Sequence, residues 1–366
     1  MPELVEVLVR GKMLRDWQSV SVTRALDTAA GSFELTSPRR APYPMAPGDS
    51  VEIYASNDLV LSGHVETVER SLGAESSSVR CSGRDNTADL VDCTAPTNPG
   101  EWRQILLPEL VRAIAGPFGV SVDNTAGPRP KFDLFRLRPA DTAWAAIERA
   151  CRLRGVLVYS DGTSRLVMRE AGRTTAEVEL VEGDNLNAAT FTADDSQRFR
   201  LYRVVSQQPG SDSGWGDLAA LVQGEATDQG ARPTRTLVVV AEAVVTNQTA
   251  RERAQWEATV RAARAVRVQA SLTGWRQRPG QGQGRLWQVN EQLAVRAPSL
   301  DLDRYLLVQA VTFTQNETSE TTSLELVRAD AYQPQPDLAA EDDLLQEWLS
   351  KTAAGELEPD DIEGDL

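Results

Sequence analysis

The stretch Gly83-Arg84-Asp85-Asn86-Thr87-Ala88-Asp89-Leu90-Val91-Asp92 separates two kinds of periodicity. Before it, Ser78-Val79-Arg80-Cys81-Ser82 alternates polar and apolar with a period of two, as a half-buried strand does. After it, Leu107, Leu110, Val111 and Ile114 recur at helical spacing. The stretch therefore reads as a junction, with Gly83 relaxing the backbone and the charged groups behind it bonding to exposed main chain. Arg84, Asp85 and Asp89 are the expected members of a structural polar network at this seam. Nothing in the run is a catalytic signature, so an assembly part is expected rather than an enzyme.

Upstream, residues 1–93 read as short strands: Val5, Val7 and Val9 share one face, Val20 and Val22 follow, and Ser32-Phe33-Glu34-Leu35-Thr36 alternates again. Strands at this spacing, separated by turns such as Ser56-Asn57-Asp58, predict a small barrel or sandwich. Downstream, residues 94–171 mix periods. One helix carries the Leu107 to Ile114 stripe and ends at Gly116, and a second follows Asp141 as its N-cap, with Trp144, Ile147 and Cys151 on its buried side. A hairpin around Asp161-Gly162 closes this α+β module.

Residues 172–332 return to strands, with Gly210 to Gly216 and Gln223 to Pro233 read as loops and one helix from Thr249 to about Val266, Asn247 serving as a cap. The arginines of that helix, at 251, 253, 261 and 264, read as a solvated face on a sheet-packed helix, because no excess of positive charge surrounds them. Residues 333–366 form an acidic tail with Leu344, Leu345, Trp348 and Leu349 clustered inside it. It reads equally as a spacer and as a docking peptide that folds on a partner.

With 366 residues the chain exceeds one ordinary core, so two or three domains are expected. The formal charge of -15 is concentrated at the end, where eleven acids face Lys351 alone. The remaining body is only modestly acidic, without the basic footprint of a nucleic-acid binder. No run is long enough for a membrane-spanning helix, and the start lacks the basic-then-apolar layout of a signal peptide, so cytoplasmic production without membrane insertion is expected.

The three cysteines, Cys81, Cys93 and Cys151, are odd in number and far apart, which predicts buried apolar roles rather than disulfides or a zinc site. The single histidine, His64, lies in a strand-like stretch and reads as a packing residue. Gly280, Gly282 and Gly284 lack the Lys-Ser/Thr of a phosphate loop, and no Gly-x-Ser-x-Gly elbow occurs. No catalytic residue, cofactor or metal is expected. A cell-wall hydrolase and a receptor- or glycan-binding tip module are the alternatives from other functional classes.

Three motifs in order carry a more specific signal: the Gly83 to Asp92 run, Ala115-Gly116-Pro117-Phe118-Gly119-Val120-Ser121-Val122, and Gly274-Trp275 followed by Gly284-Arg285-Leu286-Trp287-Gln288-Val289-Asn290. Together with Trp17 to Arg24 and Arg154-Gly155-Val156-Leu157, they resemble the baseplate hub family of Mu-like contractile-tailed phages as far as about Arg328. The resemblance implies a mainly β chain in which two tube-like β-barrel domains flank a small α/β domain and a flexible acidic tail follows. It implies a homotrimer in the virion tail baseplate, assembled in the host cytoplasm, that joins the tail tube or a tube adaptor to a trimeric central spike. Baseplate wedge proteins and the tape measure protein are further implied neighbours, with genomic DNA passing transiently through the channel. Trp275 and Trp287, within the matching motifs, join Arg84, Asp85 and Asp89 as expected assembly residues, and Leu344, Leu345, Trp348 and Leu349 as an expected docking site.

Overall fold

The computed structural model describes residues 3–14, 17–38, 45–72, 77–207, 221–241, 247–278 and 284–335. Seven strands come first: β1 (Val5–Val9), β2 (Lys12–Leu14), β3 (Ser19–Ala25), β4 (Ser32–Pro38), β5 (Ser50–Ala55), β6 (Asp58–Leu72) and β7 (Ser77–Asp85). Their alternation sets one face inward, burying Val5, Val7 and Val9 on β1, Val20 and Val22 on β3, and Phe33 and Leu35 on β4. Residues 86–170 follow with α1 (Ala88–Asp92), β8 (Glu101–Ile105), α2 (Leu107–Ala115), β9 (Ser121–Asn124), β10 (Phe132–Arg136), α3 (Ala143–Leu153), β11 (Leu157–Ser160) and β12 (Arg165–Arg169). The remainder begins with β13 (Thr174–Thr175), β14 (Leu180–Val181), β15 (Ala188–Ala193), β16 (Leu201–Gln207), β17 (Leu221–Thr227) and β18 (Thr236–Val240). It ends with α4 (Asn247–Arg264), β19 (Val266–Thr273), β20 (Glu291–Ala297), β21 (Leu302–Asn316), β22 (Glu320–Val327) and a short turn of 3-10 helix, Ala329–Tyr332.

Strands from both ends of the chain share a 14-stranded sheet, ordered β15-β19-β22-β21-β3-β4-β7-β6-β5-β1-β2, with β20 on β21 and the short β13 and β14 on β20. β21 is the strand that joins the two ends. Its first half, from Leu302 to Leu307, pairs with β20, and its second half, from Ala310 to Asn316, pairs with β3. A bulge between Val308 and Ala310 marks the change of partner. Of the two tube-like β-barrel domains expected, neither is closed among the described strands: the sheet path is open, with β3 pairing to β21 from the far end of the chain. The mainly β character with a mixed module stands.

The helices of the mixed module bury the stripe foreseen in the sequence, with Leu110, Val111 and Ile114 of α2 packed beside Ile147 and Cys151 of α3. Thr142, not Asp141, caps α3, its hydroxyl accepting from the Ala145 amide at 3.1 Å, while Asp141 accepts from Arg149 at 2.8 Å. Trp144 is half-buried against this core rather than enclosed by it. The β11–β12 hairpin divides its side chains between two cores, sending Val158, Leu166 and Met168 into the module and Tyr159 and Val167 into the large sheet. It thus couples the two bodies by the period-two rule alone. A second correction concerns Gln223 to Thr227, read as loop but forming most of β17 in a three-stranded sheet ordered β17-β16-β18 under α4. Gly224 and its polar neighbours hide this strand from pattern reading. The backbone of α4 packs so close that a Cβ on Gly224 would lie 2.2 Å from the Arg251 nitrogen.

Candidate functional site: polar joints between the sheets

Asp85, the last residue of β7, is 1% exposed and sits where three segments meet. One carboxylate oxygen accepts from the Gly31 amide at 2.7 Å and from the Ser160 hydroxyl at 2.6 Å. The other accepts from the Thr87 amide at 2.9 Å and from the Thr87 hydroxyl. The β3–β4 turn, the start of α1 and the β11–β12 hairpin are thereby tied to one side chain. Arg24 lies nearby, fully enclosed, with its guanidinium donating to the Val60 carbonyl and stacked 5.8 Å from the Phe313 ring of β21. Burial pulls the Arg24 pKa down to about 10, against the opposing pull of Asp161 and Asp85. Burial likewise pushes the Asp85 carboxyl above its ordinary range, although its hydroxyl and amide donors work to hold it down.

The neighbours of Asp85 in sequence behave differently. Arg84 points outward from β7 and pairs with Glu66 of β6 at 2.6 Å and Asp92 of α1 at 2.5 Å. Those carboxylates raise its pKa further, so it stays cationic at any relevant pH. Asp89 is exposed in the first turn of α1. Gly83 is not a relaxed hinge: it lies inside β7, paired opposite Val65, where a Cβ would come within 1.9 Å of the His64 carbonyl oxygen. Its role is close approach of two strands at the β6 bulge.

A second joint, missed in the sequence, centres on Arg276. Its guanidinium donates to Glu3 at 2.8 and 3.0 Å, to the Gly284 carbonyl at 2.9 Å and to the Ala55 carbonyl at 3.1 Å, and it pairs with Asp58 at 2.8 Å. Glu3 also accepts from Ser56 at 2.6 Å, and its amide donates to Glu320 at 2.7 Å. The first residues of the chain are thus fastened to its last strands. No local pattern could announce a pair so far apart in sequence; only an acid before β1 and a base beyond the Trp275 motif hint at it.

Trp275 is fully buried beside Arg276, with its ring 5.2 Å from Phe313 and its indole N–H donating to the Thr314 carbonyl at 3.2 Å. Trp287 is also buried, and its indole N–H has no acceptor among the described residues. Both are core residues of the large sheet. Glu291 lies at the same end, accepting from Gln277 at 2.7 Å and paired with Arg285 at 2.6 Å. Its burial outweighs that pairing and raises its pKa to about 7.

Ingredients for chemistry are scattered. Among the described residues no group of His, Cys, Asp and Glu is arranged to hold a metal ion, and His64 is exposed on β6. Cys81 and Cys151 are buried, but Cys93 is exposed at the end of α1, contrary to the expectation for all three. Leu344, Leu345, Trp348 and Leu349 lie outside the described residues.

Family models match successive parts of the chain. Residues 4–85 match the Mu phage baseplate assembly protein GpP-like, N-terminal model. Residues 87–170 match the second domain of the baseplate hub protein gp44-like model, and residues 246–335 match the fourth domain of the Mu phage baseplate assembly protein GpP model. The break between the first two models falls beside Asp85. Baseplate hub protein gp44 of Escherichia phage Mu is 31% identical over 328 residues, which cover 87% of this chain and 85% of that protein. The 43 kDa tail protein of prophage MuSo2 from Shewanella oneidensis superposes with a TM-score of 0.80 at 26% identity, covering 91% of this chain and 99% of that one. A tail protein from Neisseria meningitidis MC58 shares the fold, with a TM-score of 0.74 at 20% identity over 92% of this chain and 99% of its own. These relatives are structural parts of phage tails and not enzymes, and this chain belongs to the baseplate hub protein family of Mu-like phages.

Proposed function

We propose that three copies of the chain assemble into a ring at the centre of the baseplate, joining the sixfold tail tube, directly or through an adaptor, to a trimeric central spike. Two tube-like β regions per chain, held in one continuous sheet, would give the ring a pseudo-sixfold outline. The observation that carries this reading is the β21–β3 ladder, which fixes the two strand-rich ends of each chain side by side as a repeating unit needs. Strands β2 and β15 end the sheet path, and β18 is an edge strand with Val238 and Val240 exposed on one face. Unpaired edges and exposed valines are the usual raw material of subunit contacts.

In this reading Asp85, Trp275 and Trp287 act from inside, holding the subunit's shape, whereas Arg84 and Asp89 are available to a neighbouring subunit. The segment 333–366 is proposed to dock on a neighbouring baseplate component through Leu344, Leu345, Trp348 and Leu349, with wedge and tape measure proteins as further neighbours. The channel is lined by acidic or neutral groups, so that DNA passes without sticking. Electron microscopy of the purified protein is the test. A threefold ring with a pseudo-sixfold outline is expected. A monomer at micromolar concentration would sink the ring, and a strongly basic lumen would sink the non-stick channel.

A further inference from the structure

The arginines of α4 do not simply face solvent. Arg253, Arg261 and Arg264 of the helix, together with Arg267 of β19, line a cleft of about 470 Å³ beside Trp256. Two carboxylates share it: Glu257, which pairs with Arg253 at 3.2 Å and Arg261 at 2.8 Å, and Asp194. Glu257 is buried and already engaged, whereas Arg264 and Arg267 are exposed and make no salt bridge among the described residues, although Ser196 and, at longer range, Arg267 hold down the Asp194 carboxyl and Asp27 stands with both arginines around Tyr332. The cleft therefore carries a net positive charge on a chain that is acidic as a whole.

The last described stretch of chain arrives at this cleft. Tyr332 lies beside Arg264 and Arg267, and the next residue, Gln333, offers its carbonyl to the Trp256 indole at 2.8 Å. Beyond it the sequence reads Asp337, then Glu341, Asp342 and Asp343. Pro334 then lies against Gly155 of the mixed module; the nine residues from Pro334 to Asp343 span up to about 30 Å, while the eight residues from Trp256 to Arg264 rise about 12 Å along the helix. The acids thus begin within reach of the unpaired guanidinium groups, and tethering holds them there at high effective concentration. We propose that the cleft between α4 and β19 is the docking site for this chain's own acidic segment, residues 337–343. Arg264 and Arg267 are its carboxylate receptors, and the segment fixes where the Leu344 to Leu349 cluster emerges from the subunit.

Hydrogen exchange by mass spectrometry on the full chain tests this. Wild type at low salt should exchange about fivefold more slowly over residues 337–343 than either R264E/R267E or the tail-neutralised D337N/E341Q/D342N/D343N chain, as weak screened charge pairs allow. Moderate salt should abolish the difference. The tail-neutralised chain leaves the body untouched, so it decides the matter even if the arginine variant misfolds. Free exchange of 337–343 in wild type at low salt overturns the proposal, as does protection that survives either variant. Protection restored on mixing the two variants would assign the segment to another copy's cleft and overturn the own-chain assignment. Free exchange combined with salt-sensitive binding of a duplex oligonucleotide, lost in R264E/R267E, would hand the cleft to nucleic acid.

Discussion

The Asp85 and Arg276 joints solve one problem with opposite chemistry. At Asp85 a single buried carboxylate collects hydrogen bonds only from hydroxyl and amide donors, with the buried Arg24 cation acting on it at a distance, so geometry is demanding. At Arg276 a half-buried guanidinium reaches two carboxylates and two carbonyls, so attraction is longer-ranged and water remains close. The first joint fixes the mixed module to the large sheet, and the second fastens the N-terminus to the last strands. A buried acceptor surrounded by neutral donors fails as a unit when removed, because every donor loses its partner. A wet ion cluster loses its members one at a time.

Replacing Asp85 with Ala is the strongest way to break the contrast. Three segments would be left with unsatisfied donors, a loss of about 3 to 4 kcal/mol. A lower urea midpoint, together with faster hydrogen exchange in the Ser160 to Ser164 turn, would register it, and an unchanged midpoint would show that the carboxylate holds nothing. Arg276→Met keeps the aliphatic volume while removing the charge, and about 2 kcal/mol should be lost, given partial solvent access. The exchange signature should appear at residues 3–9 and leave the Ser160 turn alone.

Glu291 sharpens the comparison through pH. Its folded pKa of about 7 lies above its ordinary value of 4.5, so the folded state holds the proton more tightly. The associated stability is fully present below about pH 4.5 and declines as pH rises to about 7, by roughly 3 kcal/mol. Unfolding midpoints of wild type and Glu291→Gln measured across that range should diverge in slope, and parallel curves would refute the assignment. Arg84→Ala should change folding stability least, by about 1 kcal/mol or less, because its pairs are at the surface. Its effect should appear in subunit association measured by sedimentation, and a variant that assembles normally would remove Arg84 from the interface.

These contrasts also explain what was legible in the residues. Alternation places β1, β3, β4 and β7, and helical spacing places α2, because one buried face writes its period into the chain. Asp85 could be singled out because it ends a strand pattern in a polar run. Its partners Ser160 and Gly31 could not, since which turn meets which is settled by tertiary packing. The open sheet was hidden for the same reason: nothing in Val20 to Arg24 states that its pairing partner lies near residue 312. Gly83 suggests backbone freedom in the sequence, where the structure uses it as absence of bulk.

The β3–β21 ladder also bears on how the chain is born. During synthesis β3 leaves the ribosome long before residues 310–316 exist, so its edge stays unpaired while most of the chain is made. An exposed strand edge invites pairing with the same strand of another nascent copy. Translation therefore includes a waiting period in which the β3 edge is open to sister chains until residues 310–316 are made. Slowing synthesis upstream of residue 302 should lengthen that period and raise the aggregated fraction, while leaving the finished fold unchanged.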